Sequence, residues 1–424
     1  MHTGSEINRV AHVSLLRHGI TRTSLASRAR TWVPHVSILR HGKAKLPAAL
    51  FALATLALTL TGCRPHDFPQ YPPNYREYAY VPNGGSGTVT ILDVVNVRID
   101  RELQVGQNPV AAAASPTRNE VYVVNSGTPA GYGSISVIDS ERNTVAATIP
   151  VRRQPVSIDL NATGTLAYVA NSGSNSISVV DLAGRRVLAE IGTGQQPVAA
   201  RIAPDGKTLI VANRAANSVS VIDPATGRVR TAFIGCPGAQ SAVILPDSSK
   251  AFVACSAGHQ VMTIALAQSR EHPADQLEAL MDVGRAPVDL ALKPDGGEVF
   301  VSNSLSDSVS EIYNTTDEVG DTYLIGEDPV SGLVSRDNAL LYVANLRSQY
   351  VTMYSIDDGK RIGSIHVGDG PSAMAFSAAG HLLFVVDSRS DDVAVVRTAS
   401  ESLFTMLPAG RNPDAIVVKA FKVQ

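Results

Sequence analysis

The chain of 424 residues lacks the short motifs that mark several familiar chemistries. It has no Cys-x-x-Cys-His pair for haem attachment, no Gly-x-Ser-x-Gly nucleophile elbow and no glycine-rich phosphate loop. The histidines beyond residue 63 are widely spread and lack ligand spacing, so no metal site and no other cofactor is predicted. No catalytic residue is predicted either, because an enzyme site would have to be assembled from separate parts of the fold.

Charged and aromatic residues are also scarce, at 17% and 5%. The first 63 residues hold eight of the 36 basic residues and one of the 38 acids, so the rest of the chain has a formal charge of −9. A negatively charged chain is a poor partner for phosphate backbones, and no nucleic-acid partner is predicted. Gly, Ser, Val and Ala are plentiful instead, which favours an all-β fold of short strands and tight turns.

A secretory signal is indicated near the N-terminus, though not at it. A basic cluster at 40–45 is followed by an uncharged apolar run over 46–60, too short for a confident membrane span, and then by Thr61-Gly62-Cys63. This order resembles the bacterial lipoprotein signal, in which the cysteine is acylated. The resemblance implies a lipid anchor on Cys63 as the only membrane contact. Because Arg64 rather than aspartate follows, it also implies an outer-membrane lipoprotein that faces the periplasm or the cell surface.

The signal divides the chain into four predicted parts. Residues 1–35 are a leader that is either not translated or removed, since a non-standard start within the chain would give a signal of ordinary length. Residues 36–62 are the signal peptide, and residues 63–77 are the lipidated cysteine with a Pro/Tyr-rich tether. Residues 78–424 are one domain, a size that all-β proteins reach as a single unit.

Eight copies of one unit fill this domain. Each copy contains a tetrad such as Tyr-Val-Ala-Asn, and the tetrads start at residues 80, 122, 168, 210, 252, 300, 342 and 384. A proline, often within Gly-x-x-Pro, precedes most tetrads by 13 residues. Four apolar runs with turn signals between them recur in each copy, which predicts four short strands. A period of about 42 residues with four strands indicates a propeller blade.

The tetrads, the Gly-x-x-Pro turns and strands such as "SVSVID" resemble the YVTN-type β-propeller repeat family. The resemblance implies a propeller of eight four-stranded blades, with seven as the alternative if one copy is irregular. The first unit lacks its opening strand, while a surplus segment at 412–421 follows the last unit. The C-terminal strand is therefore predicted to complete the first blade and close the ring.

The asparagines that end the tetrads are predicted to bond turn backbone groups, because a catalytic residue has no reason to recur once per blade. Departures from the repeat are more informative. Cys255 replaces an asparagine, and Cys236 lies in the preceding proline turn. Antiparallel strands put these two loops on one face, so a disulfide is predicted, with two buried free thiols as the alternative.

A longer insertion ends in "ADQLEALM" at 274–281, which predicts a helical turn.

Loops on that face also carry the candidate ligand-binding residues. These are Arg152, Arg153, Arg214, Arg285, Arg347, Arg389, Arg411, Tyr132 and His259. On an acidic chain such arginines would suit an anion, a peptide carboxylate or a glycan acid. The alternative is that they are solvated and paired with acids of the same loops.

The sequence thus favours a non-catalytic binding or scaffolding module in the cell envelope, whose partner is a protein, a peptide or an envelope polymer. A monomer is expected. The alternative is a propeller hydrolase or lyase, lactonase-like, with its site at the mouth of the central channel. The fold alone does not separate the two, since propellers host both classes.

Overall fold

The computed structural model describes residues 69–267 and 273–423. The predicted leader, the signal peptide and Cys63 lie outside these residues. The described chain forms eight antiparallel sheets of four strands each, arranged as the blades of one ring. The predicted eight-bladed β-propeller is confirmed, and the seven-bladed alternative is wrong.

Blades 1 to 4 use the first part of the chain and its last strand. Blade 1 contains β1 (Tyr75–Asn83), β2 (Thr88–Asp93), β3 (Arg98–Gln104) and β32 (Val417–Lys422). Blade 2 contains β4 (Pro109–Ala114), β5 (Glu120–Asn125), β6 (Tyr132–Asp139) and β7 (Thr144–Arg153). Blade 3 contains β8 (Pro155–Leu160), β9 (Leu166–Asn171), β10 (Ser176–Asp181) and β11 (Arg186–Gly192). Blade 4 contains β12 (Pro197–Ile202), β13 (Leu209–Asn213), β14 (Ser218–Asp223) and β15 (Arg228–Ile234).

Blades 5 to 8 repeat the same order. Blade 5 contains β16 (Ala239–Ile244), β17 (Lys250–Cys255), β18 (Gln260–Ala265) and β19 (Gln276–Asp282). Blade 6 contains β20 (Pro287–Leu292), β21 (Glu298–Asn303), β22 (Ser308–Tyr313) and β23 (Glu318–Leu324), with a short 3₁₀ helix at Ser304–Ser306. Blade 7 contains β24 (Pro329–Val334), β25 (Leu340–Asn345), β26 (Tyr350–Ser355) and β27 (Lys360–His366). Blade 8 contains β28 (Pro371–Phe376), β29 (Leu382–Asp387), β30 (Asp392–Arg397) and β31 (Ser402–Pro408).

The ring closes through the C-terminal strand, as predicted. β32 pairs antiparallel with β1, in a register that sets Tyr75 opposite Lys422 and Tyr80 opposite Val417. This pairing extends β1 to Tyr75, three residues before the predicted domain start at 78. The first blade is thus built from both ends of the described chain, and β32 supplies the inner strand that completes its four-stranded sheet.

Burial decreases from the second strand of each blade to the fourth. β9 is buried over its last five residues, because its two faces pack against neighbouring blades, whereas β11 is exposed at most positions. One prediction fails in an outer strand. The segment expected to form a helical turn is β19, because its pairing with β18 overrides the helix preference of Leu, Glu and Ala.

The segment before β1 lies against the loop between β28 and β29 of blade 8. The rings of Tyr71 and Tyr75 stack 4.6 Å apart, and the Tyr71 hydroxyl lies 3.1 Å from Nε2 of His381 in that loop. Buried Glu77 accepts a hydrogen bond from the backbone N–H of Ala378 in the same loop, at 2.5 Å. The chain therefore joins the ring on the face that carries the loops between first and second strands.

Candidate functional site

The opposite face carries two loops from every blade. The first is the proline loop, which precedes the first strand, and the second follows the second strand. They are bonded to each other in each blade, for example by the backbone N–H of Arg214 to the carbonyl of Gln196 at 2.9 Å and by the N–H of Leu346 to the carbonyl of Asp328 at 2.9 Å. We call this surface the proline face.

Six buried asparagines fix the geometry of the proline face. They are Asn83, Asn125, Asn171, Asn213, Asn303 and Asn345. We expected them to bond turn backbone, and the Oδ1 of Asn125 does accept the N–H of Gly106 in the proline loop at 3.1 Å. In five of the six, however, Nδ2 donates mainly to Ser or Thr hydroxyls of the third strand, whereas Asn345 donates to one hydroxyl and two backbone carbonyls. Asn213, for example, donates to Ser220 at 2.9 Å. A Cβ on Gly194 of the proline loop would lie 2.8 Å from the Cγ of Asn213, so the motif glycine lets the loop pack on the asparagine.

Blade 5 has cysteine at both of these positions. Cys236 takes the place of the loop glycine, and Cys255 takes the place of the asparagine. Both are fully buried, and they are joined in a disulfide with their Cα atoms 4.7 Å apart. The covalent bond thus joins the same two loops that a glycine–asparagine contact joins in blades 1, 2, 4, 6 and 7.

Blade 3 departs from the repeat differently, because Arg152 occupies the position of the loop glycine. β7 continues to Arg153 through this position, and Tyr132 at the start of β6 pairs with Arg153. Nε of Arg152 lies 3.3 Å from a carboxylate oxygen of Glu190, which also accepts a hydrogen bond from Ser178 at 2.9 Å. The lengthened loop of blade 2 and the altered loop of blade 3 therefore meet.

The result is a cleft of about 430 Å³ between blades 2 and 3. Tyr132 and Arg152 form it together with Pro150, Val151, Val187 and Glu190. Tyr132 is 67% exposed, which is unusual for a tyrosine in a strand. We call this the Tyr132 cleft. It combines an aromatic ring, a guanidinium group held by a carboxylate, and an apolar floor.

The structure does not gather the other candidate residues into one pocket, because each lies on the loops of its own blade. Arg285 donates to the carbonyl of Leu305 at 2.8 Å, and Arg411 donates to that of Gly85 at 3.1 Å. Arg153 starts the same proline loop as Arg152, and its N–H donates to Ser174 at 3.0 Å.

Further candidates bind acids or amides of the proline face. Arg347 pairs with Asp328 at 3.2 Å and Arg389 with Asp369 at 4.0 Å, as the solvated alternative expects. Arg214 donates to the side chain of Gln240, and burial lowers the pKa of its guanidinium. Nδ1 of His259 accepts a hydrogen bond from the N–H of Ala286 at 3.1 Å. These side chains ring the proline face rather than converge on one point.

Two groups of acidic residues with candidate roles were not predicted from the sequence. In blade 8 the buried Asp387 replaces the asparagine, and Asp392 faces it across the β29–β30 pair. The signal was visible as an acid at the asparagine position with a second acid five residues later. In a repeat alignment, however, Asp for Asn is an unremarkable exchange.

The second feature lies on the inner strands that line the central channel. Asp159 accepts a hydrogen bond from the N–H of Ile202 in the next blade at 2.9 Å, and Asp289 accepts one from the N–H of Gly332 at 3.1 Å. Inner strands have one unpaired edge, so these carboxylates satisfy exposed backbone donors. Burial raises the pKa of both acids, and the nearby Arg201 acts in the opposite direction.

Two features are absent from the described residues, 69–267 and 273–423. They contain no group of three or more His, Cys, Asp and Glu side chains placed to hold a metal ion. They also contain no helix with the length and hydropathy needed to cross a membrane.

Residues 165–265 match the family model described as YNCE-like beta-propeller. The chain is a β-propeller repeat protein. This propeller is similar to the dihydro-heme d1 dehydrogenase NirN in complex with DHE, with a TM-score of 0.67, 15% identity, and coverage of 85% of this chain and 78% of that chain. No curated protein matches the sequence.

Two further solved propellers are similar along most of their lengths. Apo AztD from Citrobacter koseri has a TM-score of 0.62 and 14% identity, over 82% of this chain and 99% of that chain. A putative 6-phosphogluconolactonase from Bacteroides uniformis has a TM-score of 0.57 and 15% identity, over 81% and 99%. Identities this low show a shared fold and leave the function to the site itself.

Proposed function

We propose that this chain is an exported, lipid-anchored propeller of the YVTN type that binds a protein, peptide or envelope polymer through its proline face. The observation that carries the proposal is the Tyr132 cleft. Its two principal side chains, Tyr132 at the start of β6 and Arg152 at the end of β7, are departures from the repeat, and the cleft that they line lies against β11 of the next blade. Residues with a purely structural role in a blade would be expected to follow the repeat, whereas these two depart from it and line the same cleft.

The chemistry of the cleft suits a carboxylate-bearing chain. A guanidinium carries five N–H donors, and the contact with Glu190 uses only the Nε side of Arg152, so the other side can bind a carboxylate. Tyr132 offers a large exposed ring with a polar tip, and Tyr and Arg are the residues most enriched where interfaces concentrate their binding energy. The apolar contacts of Pro150 and Val187 would pack against the rest of the partner.

The attachment of the N-terminal segment supports this orientation. Tyr71 and Tyr75 hold the chain on the face opposite the proline face, next to His381. The described chain therefore enters the propeller away from the proline face, which supports a binding site on that face. We propose an outer-membrane location on the basis of the lipoprotein signal and of Arg64 after Cys63. Replacing Cys63 with alanine should move the protein from the membrane fraction to the soluble fraction, while a partner bound at the Tyr132 cleft should stay with it.

A hydrolase or lyase is the second candidate, and the channel carboxylates favour it. Asp159 and Asp289 place two acids of raised pKa beside Arg201 in the channel. A small molecule that is retained by the purified protein and lost in the Asp289→Asn variant would support this candidate over the binding module.

The decisive experiment is mild crosslinking in the native envelope, followed by purification and mass spectrometry. Tyr132→Ser with Arg152→Gly, which restores the usual loop residue, should reduce recovery of the partner at least about tenfold, the effect of losing one interface hot spot. Arg285→Ala is the matched control, because it removes a guanidinium of the same face outside the cleft. Equal recovery from all three proteins would overturn the assignment of the cleft.

A further inference from the structure

We infer that Asp387 and Asp392 of blade 8 share one proton and form a proton-binding site under the proline loop of that blade. No other blade has an acid at either position. The tetrad position holds asparagine in six blades and Cys255 in blade 5. Blade 8 thus keeps the architecture of the repeat but replaces its amide–hydroxyl bond by a pair of carboxyl groups.

The carboxyl groups of Asp387 and Asp392 lack one hydrogen-bond donor between them. Asp387 is fully buried, and its Oδ2 accepts the N–H of Gly368 at 2.9 Å. The Oδ1 atoms of Asp387 and Asp392 are both buried, and neither has a hydrogen-bond donor among the described residues. Two facing carboxylates would repel and leave both oxygens without a donor, whereas a single proton between them supplies the missing hydrogen bond.

A proton fits this space and a metal ion does not. A Cβ built on Gly368 would come within 2.6 Å of Oδ1 of Asp392 and 2.5 Å of the hydroxyl of Ser390, so the proline loop closes directly over the pair. Calcium needs six to eight oxygen ligands at about 2.4 Å, and magnesium needs an octahedron. The room for such a shell is taken by the backbone of the loop itself.

Burial supports the same conclusion. Burial and, to a lesser extent, the neighbouring Asp392 together raise the pKa of Asp387 to about 8. Burial also raises the pKa of Asp392. Because the two groups interact strongly, they titrate as a pair, and the pair holds one proton at neutral pH.

The surrounding charges of blade 8 lie in two loops. Arg389 and Asp391 lie in the loop between β29 and β30, and Asp369, the ion-pair partner of Arg389, lies in the proline loop. Asp391 disfavours ionisation of Asp392. β28 and β31 carry no charged residue, and His366 at the end of β27 packs edge-on against a tyrosine of blade 7.

Blade 1 adds two more groups on the other side. Arg411 donates to the carbonyl of Gly85, and Asp414 accepts from Asn412. Burial raises the pKa of Asp414 to about 6. Arg411 and Asp414 are unchanged in the variants proposed below, so they contribute equally to the pH dependence of wild type and variant.

The sign of the effect on stability follows from linkage. An unfolded aspartate loses its proton near its ordinary pKa of 3.8, while the folded pair keeps its proton up to about 8. Between these values the folded state binds more protons, so its stability falls as pH rises. The shared proton therefore stabilises the contact between β29 and β30 in acid, and this contribution is lost as the pair ionises in alkali.

The test is a double variant that rebuilds the repeat. Asp387→Asn with Asp392→Ser recreates the pair formed by Asn213 and Ser218 in blade 4. Thermal unfolding of wild type and variant is measured at pH 5 and pH 8. The unfolding temperature of the variant minus that of the wild type should be at least about 2 °C larger at pH 8 than at pH 5. This is the shift that a modest change in stability produces in a domain of this size. Asp369→Asn, which removes an exposed acid of the same face, should run parallel to the wild type.

A second measurement does not depend on the variant folding. The infrared carbonyl stretch of a protonated carboxyl should be present at pH 7 in the wild type, in Asp369→Asn and in Asp159→Asn with Asp289→Asn, which removes the two channel acids of raised pKa. In all three proteins it should disappear near pH 8. Parallel stability curves for wild type and double variant, or no protonated carboxyl at pH 7, would overturn the inference. So would a rise in the unfolding temperature of the wild type, but not of the double variant, on addition of calcium.

Discussion

Blades 5 and 8 both lack the asparagine that joins the proline loop to the second strand, yet they replace it by opposite means. Blade 5 uses a covalent bond between Cys236 and Cys255, whose state depends on the redox potential. Blade 8 uses Asp387 and Asp392, whose state depends on pH. The other six blades use an amide and hydroxyls that respond to neither. One position of the repeat, the last residue of the second strand, thus carries three chemistries, and only two of them respond to the surroundings.

The largest effect is expected from breaking the covalent contact of blade 5. Cys236→Ser with Cys255→Ser opens a loop with a sequence separation of 19 residues, which should lower the free energy of unfolding by about 3 kcal/mol. Urea unfolding measures the loss. It should be equal at pH 5 and pH 8, because no titrating group is involved. Alkylation of denatured, unreduced wild type should leave both cysteines unlabelled, and labelling there would favour the free-thiol alternative.

Much of this organisation could be predicted from the sequence because the same residues recur in every blade. The number of tetrads predicted the number of blades, and the surplus segment at 412–421 predicted the closing strand. The acid pair escaped prediction because its chemistry depends on burial and on the distance between two side chains. The turn expected at 274–281 is a strand because cross-strand pairing outweighs local preference. The arginines did not converge because a ring places the same loop of each blade at a different point of the rim.

A smaller effect is expected from removing the ordinary contact of blade 4. Asn213→Ala deletes the bonds to Ser218 and Ser220, which are both buried, and leaves their hydroxyls without this donor. The expected cost is about 2 kcal/mol in the free energy of unfolding, the penalty of leaving buried polar groups unpaired. Urea unfolding at pH 5 and pH 8 should give the same cost. A cost that changes with pH would mean that titration is not special to blade 8.

The smallest effect on the free energy of unfolding is expected from removing the surface charge of Arg389 in blade 8. Arg389 is the cation of the loop between β29 and β30, and it pairs with Asp369 at the surface. If burial rather than nearby charge keeps the proton on Asp387 and Asp392, Arg389→Ala should change the free energy of unfolding by less than about 0.5 kcal/mol, as is usual for exposed ion pairs. The pH at which the protonated-carboxyl band disappears should also stay the same. A clear shift of that pH would assign the control of the pair to surface charge, because an exposed arginine cannot alter how deeply Asp387 is buried.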